Sequence, residues 1–515
     1  MHNRLKVQTT EAQKAQENRE KERRLKWYQK GISEVFKHRS IKEYDELALQ
    51  SSEGLLRSNP DLATLWNYRK EILLVLKPSK ELINEELYLT EKCLQVNPKS
   101  YSAWFHRNWV LDNVDPEPDW HKELTLCTKY LRMDERNFHC WDYRQIVASK
   151  CQEPNENELQ FTMEMINLNF SNYSAWHYRS KLISAAGSYE ESTKHSELSL
   201  VLSAAFTEPS DQSAWIYQRW LIGKLEPSIY IYQTCSINNN VFLVLNRCLP
   251  KHYNIKGLSE TDWSSFDLKV WYNKRENNDL CVEILNENNQ TIDKASVSVL
   301  RNRDIFNINI SAQLKEILNA QIESLNQLIE MEPESKWVLL TYVLLLYTLK
   351  PENYFEKCLA NLSILKKIDK LRKNYYCDLE SRYRIEHWIS NTQDTKYVNL
   401  RGYNLTAFYH INMFISSHRV DFGDNDLSNS NLQQLKYLLS CKDLSLRNCN
   451  LNNLKGFPDL PCLDVLDLRE NNLQENSFND IIKCKALKQI ILDKKQTPLV
   501  EKLQTNNTIL KIEVI

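Results

Sequence analysis

The chain has 515 residues, with 66 basic and 67 acidic side chains and a net charge of −1 at pH 7. This balance gives no reason to expect nucleic acid or an anionic membrane surface as a partner. Only 8 glycines occur, and neither GxGxxG nor GxxxxGK[ST] is present, which argues against a glycine-rich nucleotide loop. The length predicts about three domains.

The cysteines and the apolar runs bear on where in the cell the protein is expected. There are 13 cysteines, an odd number without any CxxC pair, and the N-terminus is charged. These features predict reduced thiols and a cytoplasmic location. The longest apolar run, residues 337–349, is too short to cross a bilayer, so we expect no membrane insertion.

A tryptophan motif recurs at nearly even intervals in the N-terminal part of the chain: Trp66, Trp104, Trp141, Trp176 and Trp215. A Glu-Leu pair precedes the tryptophan at one constant spacing in four copies, beginning at Glu86, Glu123, Glu158 and Glu197. In the first copy Glu46 begins the pair, at a slightly larger spacing from Trp66. Self-similarity with a period of roughly 35 residues predicts stacked helix pairs.

Each repeat is predicted to contain two helices. The first carries the Glu-Leu pair, and in three copies it ends near a proline, which lacks the amide that a helix would need: Pro60, Pro98 and Pro209. The second carries the tryptophan, with an aromatic residue three positions before it in the middle copies: Tyr101, Phe138 and Tyr173. We expect the tryptophan and this aromatic residue to form one stripe that neighbouring repeats bury.

An arginine follows the tryptophan at the third position in four copies: Arg69, Arg107, Arg144 and Arg179. Gln218 takes that place in the fifth copy. The arginine is expected either to lie across the tryptophan stripe or to pair with the glutamate of a first helix. Both are structural roles.

The hydrophobic period changes twice after the repeats. Short runs that alternate apolar and polar residues predict an antiparallel β-sandwich inserted at residues 234–310; the predicted strands are 242–246, 266–272, 280–285, 295–300 and 305–310. Helices are expected to resume near Ser311, with a degenerate sixth repeat at Trp337 and a seventh near residues 375–388.

From residue 397 the pattern L-x-L-x-x-[NC]-x-L recurs four times at an almost constant interval and predicts leucine-rich repeats. Asn425, Cys449 and Asn471 occupy the position whose side chain bonds the backbone of neighbouring turns. The predicted domains are therefore 1–233 (helical repeats 1–5), 234–310 (β-sandwich), 311–395 (degenerate helical repeats 6 and 7) and 396–515 (leucine-rich repeats).

The repeats resemble the protein prenyltransferase alpha-subunit repeat, in which Asn/Asp-Pro, an aromatic residue and Trp-x-x-Arg follow one another. The resemblance implies a mainly α fold, an α-α superhelix interrupted by the β insert and followed by the leucine-rich array. It also implies a heterodimer with a beta subunit that holds zinc and most of the lipid cavity. The insert and the leucine-rich array are typical of the members that act on Rab GTPases. For those members the implied reaction transfers geranylgeranyl from geranylgeranyl diphosphate to C-terminal cysteines of a Rab GTPase presented by Rab escort protein.

The same resemblance singles out Lys99 and Tyr101. In this family a Pro-Lys-x-Tyr motif supplies a lysine that points at the diphosphate near the subunit boundary, and Pro98-Lys-Ser-Tyr101 matches it. Lys99 is expected to stabilise the leaving diphosphate, and Tyr101 to pack or orient rather than to transfer protons. A solvated lysine at a helix start is the plain structural alternative.

A zinc site in this chain is not expected. Asp279-Leu-Cys281 resembles the Asp-x-Cys of such enzymes, but it lies in the predicted insert and is interpreted as a turn residue followed by a buried strand cysteine. Two other functions stay open on the sequence alone: a non-catalytic repeat scaffold, and the alpha subunit of a farnesyl or type I geranylgeranyl transferase.

Overall fold

The computed structural model describes residues 11–185, 191–223, 225–256, 263–274, 281–296, 300, 306–474, 480–481, 484–493 and 511–514. The chain divides into two compact units, residues 1–189 and 190–515. No helix among these described residues has the length and apolar character that a membrane crossing requires.

The described part of the first unit is a series of helical hairpins. Its helices are α1 (Glu11–Ser40), α2 (Glu46–Ser58), α3 (Ala63–Leu76), α4 (Lys80–Val96), α5 (Tyr101–Asn113), α6 (Trp120–Met133), α7 (Phe138–Lys150), α8 (Asn155–Leu168) and α9 (Tyr173–Ala185). The side chains of Asp45, Ser79 and Asp119 accept the backbone N–H three residues on at the starts of α2, α4 and α6. Ser100 and Asn137 do the same for α5 and α7. These caps satisfy amides that have no partner inside the helix.

The tryptophans of the repeats lie in the second helices and are buried, as predicted: Trp66, Trp104, Trp141, Trp176 and Trp215. The prediction for the aromatic residue three positions earlier was wrong. Tyr101, Phe138 and Tyr173 are exposed. Each is the first residue of its helix and lies one turn before the residue that directly follows the tryptophan.

The arginines pair with the glutamate of the next first helix, which was one of the two expected arrangements. Arg107 donates from Nε and Nη2 to the two carboxylate oxygens of Glu123, each at 2.6 Å. Arg144 and Glu158 form the same bidentate pair at 2.9 and 2.6 Å. All four side chains are almost fully buried. Removing one partner of such a pair costs about 3–5 kcal/mol, so each pair fixes the register between successive repeats.

In the second unit the helices are α10 (Glu191–Thr207), α11 (Gln212–Gly223), α12 (Ala312–Met331), α13 (Lys336–Leu349), α14 (Tyr354–Ile368) and α15 (Lys373–Asn391). Gln218, which stands in the arginine position, donates to Gln321 of α12 at 2.9 Å, so a neutral amide pair replaces the ion pair. Trp337 is buried in α13, as the degenerate sixth repeat predicts. The guanidinium groups of Arg219 and Arg372 lie 4.9 and 4.6 Å from its ring centre.

Two antiparallel sheets separate α11 from α12. Their strands are β1 (Ile231–Ile237), β2 (Asn240–Leu245), β3 (Asn254–Lys256), β4 (Ser264–Ser265), β5 (Val270–Lys274), β6 (Cys281–Leu285) and β7 (Thr291–Ser296). The orders are β1-β2-β5-β4 and β3-β6-β7. Ile231 and Leu243 of one sheet share a core with Val282 and Ile284 of the other. The strand predicted at 305–310 was wrong over its described residues 306–310, which form no strand.

The last part of the second unit contains a parallel sheet in which each strand begins a new turn of chain. Its strands are β8 (Tyr397–Asn399), β9 (Arg419–Asp421), β10 (Asp443–Ser445), β11 (Val465–Asp467), β12 (Gln489–Leu492) and β13 (Lys511–Val514), arranged in chain order. Val420, Leu444 and Leu466 are aligned partners and are buried. The core beneath them also takes Phe242 and Val270 from the antiparallel sheet.

The predicted role of Asn425, Cys449 and Asn471 is confirmed. The Asn425 amide donates to the carbonyls of Leu400 at 2.9 Å and Phe422 at 2.7 Å, and its oxygen accepts from the Leu405 amide at 2.8 Å. Asn471 makes the corresponding bonds two turns further on. The thiol of Cys449 reaches the Phe422 carbonyl at 3.2 Å.

Candidate functional site

The tryptophans hold the loops that precede the second helices. In every copy the indole N–H donates to the carbonyl six positions earlier, at 2.8 to 2.9 Å: Pro60, Pro98, Glu135, Phe170 and Pro209. The indole therefore has both an apolar body in the core and a polar contact that fixes the loop. The start of each second helix is placed by this bond.

Within the first unit these loops also contact one another. The Asn97 amide donates to Asp61 at 2.9 Å, and the Asn137 amide donates to the Pro98 carbonyl at 2.8 Å. The Asn169 amide donates to Glu135 at 2.8 Å. Successive loops are thus linked side by side, and the starts of α3, α5, α7 and α9 follow one edge of the unit. We call this edge, formed by residues 59–62, 97–101, 134–139 and 169–173, the loop edge.

Lys99 lies on the loop edge with its side chain 61% exposed. Its backbone N–H donates to the Asn97 side chain at 3.1 Å, which holds the turn into α5. Its Nζ is 3.6 Å from Oδ2 of Asp134 on the neighbouring loop. An exposed ion pair of this kind contributes about 0–1 kcal/mol. The ammonium can therefore leave Asp134 for a stronger anion at little cost.

Tyr101 is the first residue of α5 and is 69% exposed. Its ring meets the ring of His139 edge-on, with centroids 4.1 Å apart, and lies 6.2 Å from Phe138. These contacts suit a packing or orienting role. The structure thus places both predicted site residues on one edge, two positions apart.

His139 is a neighbour of the site that the sequence did not point to. Its imidazole is buried beside Tyr101 and Phe138. Burial lowers the pKa of His139, and the charge of Lys99 lowers it further, while Asp142 acts in the opposite direction. The charge of Lys99 therefore acts on His139 as well as on Asp134. The signal in the sequence was its position directly after Phe138, which puts it at the start of a second helix.

The described part of the predicted Asp-x-Cys segment belongs to the second unit. Cys281 is the first residue of β6 and is exposed, so the expectation that it is buried was wrong. Asp279 lies outside the described residues.

A sequence profile for the "Protein prenyltransferase alpha subunit repeat" matches residues 83–114, 120–151, 155–186 and 195–225. The first three of these segments coincide with the hairpins α4–α5, α6–α7 and α8–α9, and the fourth with α10–α11. The helical repeats are therefore those of a protein prenyltransferase subunit. The copy around Trp66 lies outside the matched segments, although it has the same helix pair and the same indole bond.

Curated relatives extend this similarity over nearly the whole chain. The rat protein named "Geranylgeranyl transferase type-2 subunit alpha" is 33% identical over 95% of this chain and 94% of its own length. The pig protein of the same name is 34% identical over 97% and 96%. The protein of that name from Saccharomyces cerevisiae is 32% identical, over 48% of this chain and 81% of its own length. The chain belongs to the family of geranylgeranyl transferase type-2 alpha subunits.

Proposed function

We propose that this chain is the alpha subunit of a heterodimeric, cytoplasmic enzyme that transfers geranylgeranyl from geranylgeranyl diphosphate to C-terminal cysteines of Rab GTPases presented by Rab escort protein. The similarity of nearly the whole chain to proteins named as geranylgeranyl transferase type-2 alpha subunits carries this proposal. The loop edge supplies a site that fits it, because the exposed Lys99 lies there just before the start of α5.

Lys99 is proposed to stabilise the leaving diphosphate. As the bond between the lipid carbon and the diphosphate oxygen breaks, negative charge develops on the oxygen, and a positioned cation lowers the barrier. The weak pairing with Asp134 leaves the ammonium available. The nearby helix starts add partial positive charge of the same sign. Tyr101 is proposed to fix the surface around Lys99 through its contact with His139.

Zinc is proposed to be held by the beta subunit. It would bind the acceptor cysteine as a thiolate, which is the nucleophile in such transfers. In this chain Cys281 is exposed on β6 and does not suit that role. This chain is therefore proposed to contribute the charge of Lys99 to the leaving diphosphate and the contacts that position Lys99.

The beta subunit is proposed to bind an exposed aromatic face of the second helices, formed by Tyr101, Phe105, Phe138 and Tyr173. Phe105 is one turn after Tyr101 on the same face of α5 and is 65% exposed. Exposed aromatic residues on three successive second helices are unusual on a free surface and typical of interfaces. Since Lys99 lies directly before the start of α5, a beta subunit on this face would bring its lipid diphosphate to Lys99.

We infer that residues 234–310 form a β-sandwich insert and residues 396–515 a leucine-rich repeat domain, beside helical parts at 1–233 and 311–395. The shared core of the two antiparallel sheets supports the first, and the Asn425 and Asn471 ladder supports the second. Both parts belong to the second unit, whereas residues of the first unit form the loop edge.

Reconstituted transfer tests the proposed function. The chain would be produced with a prenyltransferase beta subunit and supplied with an escort-bound Rab and either geranylgeranyl or farnesyl diphosphate. We expect transfer from geranylgeranyl diphosphate. Lys99→Ala should lower the single-turnover rate about 10- to 100-fold, because one charge that stabilises the leaving group is lost.

Lys129→Ala is the matched control. Lys129 is 63% exposed and lies 3.8 Å from Glu91, so its environment is close to that of Lys99. Its removal should leave the rate unchanged. Absence of any transfer would contradict the enzymatic function and favour a scaffold. If both substitutions lowered the rate equally, the proposed role of Lys99 would be contradicted, while the enzymatic function would stand.

A further inference from the structure

Three metal-ligating side chains meet at the base of the hairpin α6–α7, in the first unit. His121 is on the first turn of α6, and Cys151 and Glu153 follow the end of α7. One ligand atom from each, an imidazole nitrogen, the Sγ and a carboxylate oxygen, lie within 4.8 Å of one another. His121 is exposed, while the other two are partly buried.

The local backbone brings Cys151 and Glu153 to the same side. The Cys151 N–H still donates to Val147 at 2.9 Å in the helical manner. Gln152 then takes a left-handed conformation with φ of 51°, and the Glu153 N–H returns to the Ala148 carbonyl at 3.0 Å. Because α6 and α7 run antiparallel, this turn faces the start of α6 and therefore His121.

The carboxylate is held by a further residue. The Asn157 amide donates to Oε1 of Glu153 at 2.8 Å, and this bond orients the carboxylate. Carboxylate ligands in metal sites are usually oriented by such a hydrogen bond. The neighbouring Lys150 does not pair with Glu153. Its ammonium pairs with Asp112 at 2.7 Å and lies over the ring of Trp120.

We propose that His121, Cys151 and Glu153 form a zinc site with a water molecule in the fourth position. Imidazole nitrogen, thiolate sulfur and carboxylate oxygen are the three ligand types that Zn²⁺ takes in proteins. With metal–ligand distances of about 2.0–2.3 Å, neighbouring ligands of a tetrahedral site lie about 3.3–3.8 Å apart. Because His121 is exposed, we expect a rotation of its side chain to bring its nitrogen to this distance.

Binding changes the protonation of one ligand. Burial raises the pKa of the Cys151 thiol, and the charge of Glu153 raises it further. Zinc therefore replaces the thiol proton, which is released to solvent, and the thiolate and the carboxylate together neutralise the two charges of the ion. The site would join the start of α6 to the end of α7 and stabilise this hairpin.

Cobalt(II) provides the test, because a cysteine ligand gives it a sulfur-to-metal charge-transfer absorption. We expect the full-length chain to develop this absorption at one equivalent of Co²⁺ and to lose it when Zn²⁺, which binds such sites more tightly, is added. Cys151→Ser should abolish the band, and Glu153→Gln should weaken Co²⁺ binding at least tenfold. Zn²⁺ should raise the melting temperature of the wild type and not that of Cys151→Ser.

The controls remove other exposed ligands. Cys248→Ser and His195→Ala alter residues that are exposed and far from the cluster in sequence, so the band should persist in both. If the chain is purified with a metal-binding partner, the difference spectrum between wild type and Cys151→Ser isolates this site. The proposal is overturned if the wild type gives no such band, or if the band survives Cys151→Ser.

Discussion

Glu86 shows how one buried carboxylate joins two repeats. It accepts from Arg69 Nε at 2.8 Å and lies 2.6 Å from Nε2 of His106 in its own hairpin. Burial raises the pKa of the Glu86 carboxyl, but Arg69 and His106 together outweigh burial and bring it well below its ordinary value. In the next repeat Tyr143 takes the place of His106 and donates to Glu123 at 2.7 Å. The position two residues after the tryptophan therefore requires a hydrogen-bond donor, which is an imidazole in one repeat and a phenol in the next.

His106→Tyr is expected to make stability less sensitive to pH. Burial lowers the pKa of His106 from its ordinary value of 6.5, although Glu86 acts against this. The unfolded state then binds the proton more readily, so stability that is full above about pH 6.5 is lost as the pH falls below it, by up to about 1.4 kcal/mol per pH unit. Tyrosine does not titrate in this range. Urea unfolding at pH 7.5, 6.5 and 5.5 should give a flatter profile for the variant.

The exposed His195 provides the control for that comparison. His195→Ala should follow the wild-type profile, because it removes an exposed imidazole and leaves the contact between Glu86 and His106 intact. A variant His106→Tyr as steep as the wild type would show that another group causes the pH dependence.

At the scale of elements, the parallel sheet depends on side chains that bond backbone. Asn425 satisfies the Leu405 amide and the carbonyls of Leu400 and Phe422. A buried backbone group without a partner costs about 1–3 kcal/mol. The thiol of Cys449 at the equivalent position is a weak donor and satisfies less.

Asn425→Ala should therefore lower the free energy of unfolding by at least about 2 kcal/mol, and Cys449→Ala by clearly less. Urea unfolding of each variant, followed through a signal from the second unit, measures the loss in the free energy of unfolding. Hydrogen exchange localises the effect, since the Leu405 amide should exchange faster in Asn425→Ala only. Equal losses in the two variants, with unchanged exchange at Leu405, would show that the side chain fills space rather than bonds backbone.

The elements could be predicted where a pattern repeats along the chain, and the prediction failed where single residues redirect the backbone. The helix pairs and the turn-forming asparagines both follow from such repetition. The strand expected from Phe266 begins at Val270 instead, because Asp267 accepts from the amides of Lys269 and Val270 and Leu268 has a φ of 62°. Phe306 alternates like a strand residue, yet it packs on the ring of His410.

The candidate site, too, could be predicted from the sequence only in part. Lys99 and Tyr101 could be found because they match a family motif, but their surroundings depend on contacts between repeats. Neither the approach of Asp134 to Lys99 nor that of His139 to Tyr101 follows from a pattern within one repeat. The exposure of Tyr101, Phe138 and Tyr173 was also missed, since periodicity places residues on a face without saying what covers that face.

At the scale of the whole molecule, the exposed aromatic residues of the first unit indicate that a partner binds there. Phe105 is central to this argument. The ammonium of Lys70 lies 4.2 Å from the centre of its ring, so the ring is held in place although it is 65% exposed. A preorganised aromatic side chain loses little entropy on binding, which is typical of residues that dominate an interface.

Phe105→Glu should therefore weaken the heterodimer at least tenfold without unfolding the chain. Glutamate at this place would meet Lys70 and stay solvated in the free subunit, but it would be buried against the beta subunit. The dissociation constant can be measured by titrating a labelled beta subunit, with circular dichroism as the check on folding. Leu47→Glu is the matched control, because Leu47 is 72% exposed on a first helix, away from the aromatic face. Unchanged affinity in Phe105→Glu, or an equal loss in Leu47→Glu, would place the beta subunit on another surface and remove the reason for expecting its diphosphate at Lys99.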